Sequence, residues 1–183
     1  LDQYQKKNSK KLKMKNKFFE VLRAGISTTY QDAGRFGLQH FGVVPSGCMD
    51  LRSFKIANCL VGNDLNEGVI EFAYQGPLIK YKGDKINFVI TGDVIFKIIK
   101  KEIQIEGNCY ENYIIEDGDQ IDIVSTNRSV YGYLAISGEF DLKFQWGSCS
   151  VNTKANIGSN EGKKFNNGQK IDISKINPNL EKK

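Results

Sequence analysis

One histidine, His40, serves the whole of this 183-residue chain. A serine or cysteine nucleophile needs a base held beside it, usually an imidazole. Ser46 and Cys48 are the nearest residues such a base could activate, and neither sits in a GxSxG elbow. Self-contained nucleophilic catalysis is therefore disfavoured. Cysteine is also sparse: Cys48, Cys59, Cys109 and Cys149 form no CxxC and have no nearby pair of histidines, which argues against a metal site. With no secretory signal, reduced thiols and a cytoplasmic setting are the default. No apolar run is long enough to cross a membrane; the best, residues 86–98, is broken by Gly92, Asp93 and Lys97. Nor is there a Walker loop. Gly158–Lys164 (GSNEGKK) has three residues between its glycines where four are needed, and Lys164 stands where Ser or Thr should hold magnesium.

The chain also lacks a basic body, despite a formal charge of +5. Residues 1–17 hold seven Lys and one Asp, and without them 19 basic and 20 acidic residues remain, a net −1. Nucleic acid is not an expected partner. The lysine-rich stretch 1–17 reads as a solvated extension, with the folded body starting near Met14.

What the chain does have is a glycine- and polar-dense loop leading into one amphipathic helix, over residues 26–63. Gly34, Gly37, Gly42 and Gly47 permit turns and close approaches that a Cβ would block. Between them lie Gln31, Asp32, Arg35, His40 and Asp50, a set able to bind a small polar ligand. The same loop could equally serve to close a barrel. Arg35 is the best anion clamp of the set, because a guanidinium suits bidentate contact with carboxylate or phosphate. Asp32, Asp50, Glu71 and Asp93 are candidate acid/base carboxylates, although Asp50 is also well placed to cap the helix.

The helix is expected over residues 50–61, with Leu51, Phe54, Ala57, Cys59, Leu60 and Val61 on the apolar side and Arg52, Ser53 and Lys55 outside. Gly62-Asn63 ends it. Residues 18–23 read as a strand, and from Gly68 onward the pattern is β. Short runs at 69–74, 78–81, 86–91, 94–100, 102–105, 110–115, 120–124 and 129–137 are separated by turn residues. Such spacing favours a barrel or sandwich over βαβ units. Residues 143–167 lose periodicity before a last run at 170–173.

Several stretches taken together resemble a known family. TTYQDAGRFG, GVVPSGCMD, ANCLVGN, IEFAYQGP, ITGD, YLAISGEFD, GSCS and GQKIDI follow one another as in the biotin-dependent carboxyltransferase family, which includes allophanate hydrolase subunit 2 and the C subunit of 5-oxoprolinase. The resemblance covers about residues 18–173. It implies a mainly β, cyclophilin-like barrel with one principal helix over residues 18–174, and a linker at 175–183 leading to a second half. It further implies a component of an ATP-dependent 5-oxoprolinase that opens 5-oxoproline to L-glutamate together with the A and B subunits, with ATP bound at the level of the complex. Two alternatives follow from the same resemblance: a biotin-dependent carboxyltransferase component acting on urea or a related amide, and a non-catalytic regulatory partner of a B-subunit homologue. Under the leading reading, Asp32, Arg35 and Asp50 are catalytic, and Gln31, Gly37, His40 and Met49 bind substrate. Asn58, Gly62 and Asn63 hold the loop and helix. Family members often carry Arg where this chain has Cys149, Lys154 and Lys163, and Ala where it has Cys48.

Overall fold

A computed structural model describes residues 17–177. All but the last residue of the expected extension at 1–17 and most of the expected linker at 175–183 lie outside that range. Twelve strands and one α-helix are present among the described residues, and every strand pairing is antiparallel. The strands are β1 (Phe18–Arg23), β2 (Ser27–Gln31), β3 (Val69–Ala73), β4 (Leu78–Lys82), β5 (Ile86–Thr91), β6 (Val94–Lys100), β7 (Ile103–Gly107), β8 (Tyr113–Ile115), β9 (Gln120–Thr126), β10 (Tyr131–Ile136), β11 (Gly138–Phe140) and β12 (Lys170–Ile176), with helix α1 (Leu51–Leu60) between β2 and β3.

They form a seven-stranded sheet in the order β11-β12-β1-β4-β9-β6-β7 and a five-stranded sheet in the order β2-β3-β10-β5-β8. The fold is mainly β with one helix, as the strand spacing predicts. Alternation sets the inner face of the larger sheet: Phe19, Val21, Ile79, Tyr81, Ile121 and Ile123 point inward while their chain neighbours face out. Opposite them, Ile70, Phe72, Phe88, Ile90 and Leu134 of the smaller sheet complete one core. The other side of the smaller sheet carries α1. Phe54, Ala57 and Val61 pack there on Val69, Val89, Tyr133 and Ala135. β3 and β5 are thus buried on both faces, which explains their near-continuous apolar sequences. Full burial of Phe54 or Val61 is worth roughly 1.5–3 kcal/mol each.

The helix differs from expectation on its polar side. Ser53 is buried, its hydroxyl donating to Asp50 Oδ2 at 2.6 Å and its carbonyl accepting from the Thr91 hydroxyl at 2.9 Å. Leu51 and Cys59 face solvent instead. The face that meets the sheet is phased by Phe54, Ala57, Asn58 and Val61, and the small Ser53 fits beneath it because its hydroxyl finds a partner.

Other boundaries moved for backbone reasons. Lys101 and Glu102 have φ of 44° and 74°, so they form the turn between β6 and β7, and the strand starts at Ile103. Tyr110 has φ 67°, which removes it from the run expected at 110–115. β2 and β11 were not expected as strands. β2, sequence STTYQ, lies at a sheet edge, yet it is buried from Thr28 to Gln31. The aperiodic segment 143–167 covers that edge: Val151 N–H donates to Tyr30 O at 3.0 Å and Phe165 N–H to Thr28 O at 2.9 Å.

Candidate functional site

The loop after β2 returns on itself through a narrow neck. Arg35 N–H donates to Pro45 O at 2.8 Å and Cys48 N–H to Asp32 O at 2.9 Å. Gly34 and Gly47 have φ of 97° and 95°, and a Cβ on either would lie 2.8 Å from a backbone oxygen of the opposing strand of the neck. Both the left-handed conformation and the approach require glycine.

Beneath the neck, Asp32 is 5% exposed and ties the loop to the GSCS segment. Oδ1 accepts from the hydroxyls of Ser148 (2.6 Å) and Ser150 and from Gly34 N–H (2.8 Å), while Oδ2 accepts from Cys149 N–H at 2.7 Å. Burial opposes ionisation here, but the two hydroxyls and two N–H groups outweigh it and hold the carboxyl below its ordinary range. Arg35, 2% exposed, donates through Nη2 to Ser150 O and through Nε to Gln145 O. Its Nη1 is buried without a hydrogen-bond partner. Gln31 donates to Thr29 Oγ1 at 2.9 Å and Val151 O at 3.0 Å. These three side chains therefore face the protein's own loops, and the expected anion clamp at Arg35 has its guanidinium on main-chain carbonyls.

The outer part of the loop is open. Gly37 is exposed, and the His40 ring lies against Phe41 with centroids 4.0 Å apart. Phe36, Phe41, Val44 and Met49 are exposed, Phe41 by 73%.

At the foot of the loop the chain enters α1. Asp50 Oδ1 accepts from the N–H groups of Arg52 (3.0 Å) and Ser53 (3.1 Å), so the residue caps the helix. Burial works against its ionisation, but the Ser53 hydroxyl and the two N–H groups lower the carboxyl pKa overall. Behind it, Glu71 accepts from Met49 N–H at 2.7 Å and the Tyr133 hydroxyl at 2.8 Å, and the same hydroxyl accepts Asp50 N–H at 2.7 Å. Burial raises the Glu71 carboxyl, and its two donors only partly offset this. Burial, with Glu71 nearby, also pushes the Cys48 thiol up to about 12, so Cys48 stays protonated.

Asp50 and Ser53 open onto a cleft of about 570 Å³ together with Gly92, Asp93, Cys109, Tyr110, Arg128 and Ser129. Arg128 Nε donates to Asp93 at 2.9 Å, and Asp93 N–H donates to Ser129 Oγ at 3.1 Å. Gly92 N–H donates to the Tyr110 hydroxyl at 3.2 Å. The cleft thus brings together the Asp50 carboxylate and the exposed Arg128–Asp93 ion pair, groups able to hold a small molecule with an amide and a carboxylate. Among the expected catalytic and substrate residues, Asp50 lines it. Gln31, Asp32 and Arg35 lie in the neck, Gly37 and His40 lie on the outer loop, and Met49 lies past the neck at the foot of the loop. Arg128, Ser129 and Tyr110 were missed by sequence reasoning, since NRS between two strands looks like any hairpin turn. The Gly92-Asp93 turn in ITGD was the available signal.

Asn58 and Asn63 hold the helix exit. Asn58 Nδ2 donates to Glu67 O at 2.8 Å, and Asn63 Nδ2 donates to Ile136 O at 2.9 Å and Gly138 O at 3.0 Å. Gly62 N–H donates to Cys59 O at 3.1 Å. Among the described residues no group of three or more His, Cys, Asp or Glu side chains could hold a metal, and no helix is long and apolar enough to cross a membrane. Residues 160–162 form a 3-10 turn followed by extended chain, so no helix of Walker type follows GSNEGKK.

The family model for the carboxyltransferase domain, subdomain A and B, matches residues 41–183. The C subunit of the Escherichia coli K12 5-oxoprolinase is 30% identical over 159 residues, covering 85% of this chain and 49% of the relative. That of Haemophilus influenzae is 30% identical, with 83% and 48% covered. Urea amidolyase of Lachancea kluyveri is 34% identical, with 79% of this chain and 8% of the relative covered. The crystal structure of the K. lactis urea amidolyase superposes with a TM-score of 0.81 at 28% identity, over 90% of this chain and 10% of that one. That of TTHA0988 gives 0.75 at 25% identity, over 88% and 58%. The chain spans about half the length of the two 5-oxoprolinase relatives. With the family model matched from the loop onward and two collinear relatives at 30% identity, this chain belongs to the carboxyltransferase-domain family, subdomains A and B.

Proposed function

We propose that the protein is a component of an ATP-dependent 5-oxoprolinase and works in the cytoplasm with the A and B subunits of that enzyme. Its 30% identity to the C subunits of two 5-oxoprolinases carries the reading. The cleft at the start of α1 suits the substrate class. Arg128 would take the α-carboxylate of 5-oxoproline, exchanging its exposed contact with Asp93 for a ligand carboxylate. Asp50 and Ser53 would orient the lactam amide. Ring opening adds water across the lactam C–N bond: the carbonyl carbon gains the oxygen and the nitrogen leaves as the amine of L-glutamate. ATP supplies the driving force at the level of the complex. Asp32 and Arg35 would act as positioning residues that fix the loop leading into α1. The exposed Phe36, Phe41 and Met49 would bury against a partner protein.

A second reading, carboxyl transfer from biotin to urea or a related amide, is favoured by the likeness to urea amidolyases. The deciding experiment reconstitutes the complex and measures ATP-dependent turnover of 5-oxoproline, and separately of urea with bicarbonate and a biotinyl carrier. Glutamate production that falls on Arg128→Ala supports the first reading. Urea carboxylation without glutamate production supports the second. Partner binding with neither activity overturns both in favour of a regulatory role.

A further inference from the structure

A second cleft, of about 510 Å³, lies away from Asp50, between the start of β2 and the chain leading into β12. Ser27, Thr153, Gly162, Lys163, Lys164 and Asn166 line it, and no carboxylate is among its lining residues. The backbone that carries the two lysines is fixed. Asn160 Nδ2 donates to Lys163 O at 2.9 Å and to Lys164 O at 3.2 Å. The next residue, Phe165, is buried against Tyr30 with ring centroids 4.7 Å apart. The side chains are less committed. Lys164 Nζ lies 3.5 Å from Ile26 O, at the limit of a hydrogen bond, and Lys163 pairs at 2.9 Å with Glu161, both ends exposed. An exposed pair of this kind is worth little and yields readily to a stronger anion.

We propose that this cleft binds the phosphoryl group of a small phosphorylated ligand. Two ammonium groups on a rigid backbone, with serine, threonine and asparagine side chains beside them, supply several donors from different directions. That arrangement suits a tetrahedral dianion better than a planar carboxylate, for which a guanidinium fork is the better match. The positive character is local, because residues 18–183 carry 19 basic and 20 acidic side chains. The volume exceeds what one phosphate fills and lies within the range of small-molecule pockets. The site is distinct from the cleft at Asp50 and does not depend on 5-oxoproline being the substrate.

The test is binding without turnover, read from amide resonances of the full 183-residue chain. Inorganic phosphate, ATP and adenosine are titrated separately, with sodium chloride of matched ionic strength as control. Phosphate and ATP are expected to shift the amides of Thr153, Gly162, Lys163 and Lys164, and to compete. Adenosine is expected to leave them in place. ATP binding tighter than phosphate identifies a nucleotide as the source, whereas equal binding identifies the phosphate alone; either supports the site. In Lys163→Gln/Lys164→Gln, phosphate affinity should fall about tenfold or more, while the Thr28 and Phe165 amides report an intact fold. Thr153→Val should weaken binding by a smaller factor. Shifts reproduced by chloride, no shift at these four amides, or undiminished binding by the double variant would each overturn the proposal.

Discussion

The carboxylate of Asp32 accepts the hydroxyl of Ser148 at 2.6 Å across 116 residues of chain. Two irregular segments, neither held by its own secondary structure, are joined there. Asp32→Ala would leave the Ser148 and Ser150 hydroxyls and the Gly34 and Cys149 N–H groups without their acceptor, at a loss of roughly 3–5 kcal/mol. Urea denaturation should show this as a lower midpoint with little change in slope.

The pH dependence of stability should show two carboxylates acting in opposite directions. Asp32 has its native pKa below the ordinary 3.8, so its stabilisation is full above that value and is lost as pH falls through the native pKa. Asp32→Asn should flatten the acid limb of the stability profile. Glu71 has its native pKa above the ordinary 4.5, so the native state holds its proton longer than the unfolded chain. Its contribution is best below 4.5 and declines as pH rises through the native pKa. Relative to Glu71→Gln, the wild-type protein should therefore lose stability over that window. Denaturation midpoints measured at several pH values check both signs.

Gly34→Ala and Gly47→Ala should each destabilise by more than 1 kcal/mol, about the penalty of a left-handed conformation alone, because each methyl also meets backbone at 2.8 Å. Gly37→Ala faces open space and carries the conformational penalty alone. Thermal melts of the three variants should rank Gly37→Ala as the mildest.

Arg128→Ala and Arg35→Ala should separate in a reconstituted complex. Loss of Arg128, exposed at the cleft, should raise KM for 5-oxoproline and leave the melting temperature nearly unchanged. Loss of Arg35 should lower the melting temperature first, since its guanidinium holds Gln145 O and Ser150 O. An Arg35→Ala complex with unchanged stability and no turnover would instead place Arg35 in direct contact with substrate.

Phe36→Ser/Phe41→Ser should leave the isolated chain stable, because both rings are exposed, and should weaken partner binding by 10-fold or more, about 1.4 kcal/mol. Pull-down or calorimetry with the B component of a 5-oxoprolinase measures it. Undiminished binding would move the interface elsewhere.

Much of the fold was readable because the local rules agreed. β1, β5 and β6 have the predicted bounds, since alternating or continuous β-branched runs end at glycine or charged turns. β2 was missed because Ser27, Thr28, Thr29 and Gln31 are polar, and the burial of Thr28 and Gln31 depends on the Ala24 and Val151 carbonyls and the Thr29 hydroxyl. The site was half readable. Asp50 stands where its capping spacing puts it, at the edge of a cleft. Arg35 looked free because it stands in a glycine loop. Its partners lie 110 and 115 residues away. Arg128 was invisible for the converse reason: its meaning comes from Asp93, 35 residues earlier.

β1 sits between β4 and β12, so its two neighbours come from residues about sixty and about one hundred and fifty positions further on. During ribosomal synthesis the β1 strand leaves the exit tunnel well before β12, with one ladder of amides and carbonyls bare until Lys170–Ile176 follow. The nascent polypeptide therefore exposes an adhesive edge while the residues between the two strands are made, and chaperone demand should be greatest just before β12 emerges.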